Sequence, residues 1–356
     1  IPIKKIYYKL GTPRFFEYRF IESLDDVAEP KGEVDGYINV IVTNKSKIGT
    51  DISNRFKDTV APQVFVLYKE IDKIKTHLIE LDKINFLLDK HSEDKVAVQL
   101  FNEEKHFVLS QLEIDFIDAK FNSSKVKWYW KGKIEKNISS VKSLNSRLSE
   151  ICEISYPNIP VYRNELSNKE RLSTPILTAR KALIKQLLSS GNLKDIGFDE
   201  NKFPPEKTIY LALLKKTGIH RAAKDGIWTF GPPSDESFTA LWNLCQAFLD
   251  SAKNNKQNVK DLYDKLLASD AMKLKKGFVD FWVPIFLIAN KEQYALYLHS
   301  EDNYIPFLDA DVLDLLHKKP ANYIIKTFNT SSVSAQLLSE YKDLTGLDNS
   351  KGIKGV

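Results

Sequence analysis

The hydrophobic period of this chain changes once, near residue 139, and that change constrains its fold more than any other feature. Before it, short β-branched or aromatic runs alternate with helical stretches. Tyr37-Ile38-Asn39-Val40-Ile41-Val42 and Gln63-Val64-Phe65-Val66-Leu67-Tyr68 are flanked by polar breakers, and Asp35-Gly36 gives a turn signal before the first, so each is expected as a strand. Between them Thr43 to Pro62 is polar and reads as a surface loop with one helical turn. Ile71, Ile74, Leu78, Leu81 and Ile84 recur at helical spacing and predict an amphipathic helix through about Asp89. A second helix is expected from about Lys95 to Phe121, with Val98, Phe101, Phe107, Leu109 and Leu112 as its inner face. Lys125 to Lys133 alternates basic and apolar residues, as a half-exposed strand or hairpin arm does.

Beyond Ser139 the period is mainly helical. Helices are expected at Leu144–Tyr156, stopped by Pro157, and at Thr174–Leu188, with Thr174 as N-cap and Pro175 at the first helical position. Others follow after Pro204-Pro205-Glu206 and at Phe238–Ala252, Val259–Leu267 and Phe278–Ala289. Two strands, Tyr294–His299 and Tyr304–Leu308, and a helix from Asp309 to Lys318 complete the outline of a winged-helix-like unit. The fold class that follows is α+β: a mixed α/β domain over 1–155, a mainly helical domain with winged-helix-like elements over 156–345, and a frayed tail over 346–356.

Composition narrows the function classes. With 43% apolar residues and 14 each of Gly and Pro in 356, the chain has the material for real cores, and two domains suit its length. No apolar run approaches the roughly 20 residues of a bilayer span, so a soluble chain with no membrane partner is expected. Cys152 and Cys245 are far apart and outside any CxxC, which favours two buried thiols in a reducing cytoplasm. The formal charge of +5 permits a nucleic-acid partner without requiring one. The chain starts Ile1-Pro2-Ile3 and its one methionine is Met272, so it is expected to be a piece of a longer polypeptide or to lack its first residues.

Neither GxxxxGK[ST] nor GxGxxG occurs, so no phosphate-cradling loop of those types is available and the chain is not expected to hydrolyse ATP by itself or to hold a cofactor. The six histidines are scattered, with no HExxH, and no GxSxG elbow is present, so no metal and no catalytic residue is assigned. Pairs such as Glu103-Glu104 and Asp309-Asp311 are expected as solvated helix faces.

Two segments rise above this background. In the first, Tyr156 to Asn168, two prolines restrict the backbone and Tyr162, Arg163, Asn164, Glu165 and Asn168 arrive in quick succession. Such groups can form a charge-assisted network that braces the junction between the halves; alternatively, Arg163 reaches a nucleotide held elsewhere. The second, Lys202 to Lys224, carries Lys202, Lys207, Lys215, Lys216, Arg221 and Lys224 with His220, against one acid, Glu206, and Trp228 and Phe230 follow. Lys207, Lys215, Lys216, His220, Arg221 and Lys224 are the candidate nucleic-acid contacts, although Ile209, Leu211, Leu213 and Leu214 also fit a structural surface over a core helix.

Taken together, these segments resemble the C-terminal region of the large P-loop ATPases of bacterial phage-defence islands, the BREX and phage-growth-limitation type. The likeness rests on Asp35-Gly36, on Tyr156, Pro157, Asn158, Pro160, Tyr162, Arg163, Asn164, Glu165, Leu166 and Asn168, on Pro204, Pro205, Glu206, Ile209 and Tyr210, and on Gly218-Ile219-His220-Arg221. Lys169 stands where an arginine would complete the central motif, and the Walker motifs of that family are absent. The resemblance implies a non-catalytic accessory or scaffold region of an ATP-driven defence protein, docking DNA, other defence proteins or the ATPase portion. A nucleic-acid-processing enzyme with an unidentified acidic site and a plain protein-interaction module are the alternatives.

Overall fold

The computed structural model describes residues 5–327, except 10, 44, 46, 60, 269–271 and 301–302; the expected tail at 346–356 lies outside the described residues. The fold is α+β, and the chain divides into two compact units, Ile1–Tyr7 with Arg14–Ser155, and Tyr8–Pro13 with Tyr156–Val356.

The first unit is built on a six-stranded sheet. Its strands are β1 (Lys5–Lys9), β2 (Thr12–Ile21), β3 (Gly36–Ile41), β4 (Gln63–Tyr68), β5 (Val126–Trp130) and β6 (Lys133–Glu135), in sequence order across the sheet. β2, β3 and β4 run parallel, and β5 and β6 return antiparallel. Residues of β3 and β4 are buried on both faces, which is why those runs read as nearly continuous apolar segments. Asp35 anchors the start of β3: fully buried, it accepts from Arg14 Nη1 at 2.7 Å and from the Phe15 amide at 2.7 Å.

Between β3 and β4 the chain makes α1 (Ile48–Arg55), two helical turns where the sequence suggests one. Its Ile48 and Ile52 pack with Phe56, Ile41, Phe65 and Tyr129 into a small core on one sheet face. Between β4 and β5 stand two helices packed on each other, α2 (Ile71–Lys90) and α3 (Lys95–Leu112). The helix expected to run to Phe121 ends at Leu112. Past it the backbone widens into a π-helical turn, Glu113–Asp118, which brings the buried Asp115 carboxylate into an ion pair with the exposed Lys73 at 2.7 Å. The expected inner face of α3 also needs correction. Val108 is its buried residue, while Phe107 and Leu109 point outward, because one neighbouring helix covers only part of its circumference. The unit closes with α4 (Val141–Ser155).

The second unit comprises α5 (Thr174–Ser190), α6 (Pro205–Tyr210), the hairpin β7 (His220–Ala222) and β8 (Trp228–Phe230), α7 (Thr239–Ser251), β9 (Gln257–Asn258), α8 (Val259–Leu267), α9 (Lys276–Ala289), β10 (Tyr294–Leu298), β11 (Asn303–Ile305), α10 (Ala310–Lys318) and β12 (Tyr323–Thr327). The N-cap of α5 is Ser173, one residue before the expected Thr174. α9 is its centre, buried from Gly277 to Ile288, as an all-round apolar helix must be. β10 and β11 form the expected hairpin, but β12 pairs with β10 and β9 with β12, giving a four-stranded antiparallel sheet. Cys152 and Cys245 are buried free thiols, and Cys245 accepts from Trp282 Nε1 at 3.3 Å. Among the described residues no helix is long and apolar enough to cross a membrane.

Candidate functional site

The Tyr156–Asn168 segment folds into a knot of hydrogen bonds in the second unit. The Asn164 carboxamide oxygen accepts from the amides of Leu166 and Ser167 at 3.0 and 3.3 Å, fixing a tight turn. The turn carries Asn168 inward, where its buried amide nitrogen donates to the carbonyls of Gly11 and Tyr162, both at 2.9 Å, and meets Thr12 Oγ1 at 3.0 Å. Tyr162 lies beneath, its hydroxyl 2.6 Å from Ser167 Oγ. The strand approach is close enough that a Cβ on Gly11, whose φ is +84°, would sit 2.2 Å from the Tyr162 carbonyl oxygen. Arg163 and Glu165 are not members of this network: both face solvent and have no side-chain partner among the described residues.

The basic segment disperses as it folds. Lys207 is 5% exposed and donates to the carbonyls of Asp199 and Glu200 at 2.7 and 3.0 Å, its ammonium 4.1 Å from the Phe203 ring centre. Lys215 pairs with Asp195 at 2.7 Å. Arg221 donates to the carbonyls of Gly218 and Pro232. His220 is buried between Trp228 and Phe230, so those aromatics pack on the histidine instead of standing free to stack on bases. Its Nε2 donates to the Gly191 carbonyl at 2.8 Å, which leaves Nδ1 to accept from the Tyr210 hydroxyl at 2.7 Å. Burial, ahead of other influences, lowers its pKa and keeps this ring neutral. Of the six candidates, Lys216 and Lys224 remain exposed and unpaired among the described residues.

A different site emerges in the first unit, at the carboxyl ends of the parallel strands β3 and β4. There an open cleft of about 620 Å³ is lined by Thr43, Lys45, Gly49, Thr50 and Ser53 on one side and by Lys69, Lys127 and Tyr129 on the other. The sheet register explains the gathering. Lys127 lies opposite Leu67 and Tyr129 opposite Phe65, so Lys127 and Tyr129 share the face on which α1 packs, while Lys69 follows directly on β4. Lys45 arrives on the loop leaving β3. All three lysines are exposed and no carboxylate, imidazole or thiol lines the cleft; Lys69 and Lys127 have no ion-pair partner among the described residues, while Lys45 also borders a groove lined by Glu22, Asp25 and Asp51 and interacts electrostatically with Asp25.

α1 begins beside these lysines. Its N-cap, Lys47, makes no side-chain cap; the Ile48 amide donates to the Lys45 carbonyl at 3.1 Å, and Asp51 stands in the first turn. Gly49 lets that turn come close to the sheet: a Cβ there would lie 2.8 Å from the Tyr129 hydroxyl. Burial raises the Tyr129 pKa, so its phenol stays a hydrogen-bond donor. Three cations and four hydroxyls suit a phosphate-rich ligand. Glycine-rich phosphate motifs do not mark this place in the sequence, so sequence reasoning missed it. The available signal was a strand followed by Lys45, Lys47 and Gly49-Thr50 at a helix start, with the alternating lysines of Lys125–Lys133 beyond.

Among the described residues no group of three or more His, Cys, Asp or Glu could hold a metal ion. Comparison of the chain with protein-family models, curated proteins and solved structures finds no match.

Proposed function

We propose that this chain is a nucleic-acid-binding accessory region that does no chemistry of its own and acts in the cytoplasm, beside an ATPase portion of the phage-defence type. The observation that carries the binding reading is the cleft, free of acids in its own lining, where Lys45, Lys69 and Lys127 stand exposed together. Exposed cations around a concave surface attract a phosphate backbone by releasing its counterions. The sequence likeness through Tyr156–Asn168 and Gly218–Arg221 supports the defence-ATPase context.

Binding of a fluorescent 20-base-pair DNA, titrated over a series of salt concentrations, tests the reading. The Lys45/Lys69/Lys127→Ala variant should bind at least tenfold more weakly and flatten the log K against log salt slope by about 2–3 units, near 0.9 for each phosphate that the missing cations no longer neutralise. Lys215/Lys216/Arg221→Ala should change the slope by about one unit at most, since Lys215 and Arg221 are already occupied within the fold. The opposite ranking would move the interface to the second unit, and absence of salt-sensitive binding by the parent chain would sink the nucleic-acid reading.

A further inference from the structure

The outer face of α3 carries an apolar stripe that the fold does not use. α3 packs on α2, and its Val98, Phe101, Val108 and Leu112 are buried or half-buried. About a third of a turn away, Val96, Leu100 and Phe107 stand 70%, 59% and 58% exposed. Their spacing of four and seven, with Glu103 between the last two, is the alternating 4-3-4 step of a heptad seam. If Leu100 and Phe107 are taken as a positions, Val96 and Glu103 fall at d, and the covered residues Val98, Phe101, Val108 and Leu112 fall at b and f. α3 therefore carries two separate seams, one occupied and one open. Large side chains this exposed, repeating along one side of a helix, are the pattern of a partner-binding face and not of isolated surface residues.

The charges around the open stripe specify what can lie on it. Glu103 sits within it and accepts from Gln99 Nε2 at 3.1 Å. At the flanking e and g positions come Ala97, Glu104 and Gln111, and Gln99, His106 and Glu113. The lysines of this segment, Lys95 and Lys105, fall at c and f, outside the flanks. A second copy of α3 laid on this face would bring Glu103 and Glu104 against their own counterparts near the centre, and like charges there oppose pairing.

We infer that the outer face of α3 docks an amphipathic helix of a partner protein whose apolar seam is flanked by lysine or arginine. Leu100 and Phe107 are the anchors: they are the large side chains of the stripe and bracket Glu103, which would pair with a basic flank. This surface shares no residue with the lysine cleft, so the inference stands or falls independently of the nucleic-acid reading.

Two synthetic 21-residue helices test it, both with leucine at a and d, one with lysine and the other with glutamate at e and g. Titrated against the full chain by fluorescence anisotropy, the lysine peptide should bind with micromolar Kd and the glutamate peptide at least tenfold more weakly. The Leu100→Ser/Phe107→Ser variant should lose at least tenfold in lysine-peptide affinity while keeping its helical circular dichroism and its urea midpoint, because both side chains are already largely in solvent. Hydrogen-exchange protection by the lysine peptide should concentrate at 96–107. Equal binding of the two peptides, undiminished binding to the variant, or a dimer of the parent chain that the variant dissolves would each overturn the proposal.

Discussion

Asn168 shows how a single side chain holds distant segments of one unit together. Its amide nitrogen meets acceptors on Gly11, Thr12 and Tyr162. Asn168→Ala should therefore cost about 1–3 kcal/mol in a urea unfolding experiment, whereas Arg163→Ala and Glu165→Ala should each stay within about 0.5 kcal/mol. Measured costs in the reverse order would mean that the exposed pair braces the fold after all. The sequence pointed to this stretch and to three of its working members, Tyr162, Asn164 and Asn168. It could not sort them from Arg163 and Glu165, because the turn closed by Asn164 decides which side chains face inward. Nor could it supply Gly11 and Thr12, which lie more than 150 positions away.

Elements were legible wherever a local period spoke for itself. α2, α7, α8, α9 and α10 were expected within a few residues of their observed ends, since each carries an apolar stripe or, in α9, an apolar surface all round. β1 and β2 were not read, although β2 supplies the parallel neighbour of β3. Gly36, at the start of β3, shows why close approach matters in this sheet. A Cβ there would fall 2.3 Å from Phe16 Cε1 and 2.5 Å from the Pro62 carbonyl oxygen, and the carbonyl cannot swing aside without moving the backbone leading into β4. Gly36→Ala is expected to destabilise the first unit by at least about 2 kcal/mol in a denaturant titration; a neutral result would mean that the strands separate easily. α3 is the opposite case. Its two apolar rows make the helix legible but leave open which of them the fold covers, and only packing chose Val108 over Phe107.

At the scale of the whole molecule, acid should act on the second unit through its buried charge centre. Arg180, 1% exposed, donates to Asp314 at 2.5 Å, and its Nε and Nη1 lack a direct partner among the described atoms. Burial first, and then the Arg180 charge, push the His317 pKa down to about 4, and burial also lowers that of His220. A histidine depressed in the native state binds fewer protons there than in the unfolded chain. Its stabilising effect is thus complete above about pH 6.5 and declines as pH falls toward 4, by up to about 3 kcal/mol for His317. Urea midpoints taken from pH 7 to pH 4.5 should fall for the parent chain and fall less steeply for His317→Gln; parallel curves would remove His317 from the account. The sequence by itself determined the change of period, the α+β class, and the helices whose burial follows from apolar residues a few positions apart. Tertiary structure alone decided that Lys45, Lys69 and Lys127 meet while Lys207, Lys215 and Arg221 are taken up by their own neighbours. The reason is range: a helical or strand period is set by contacts within a few residues, whereas a charge is free or spent according to what sheet register and loop turns place beside it.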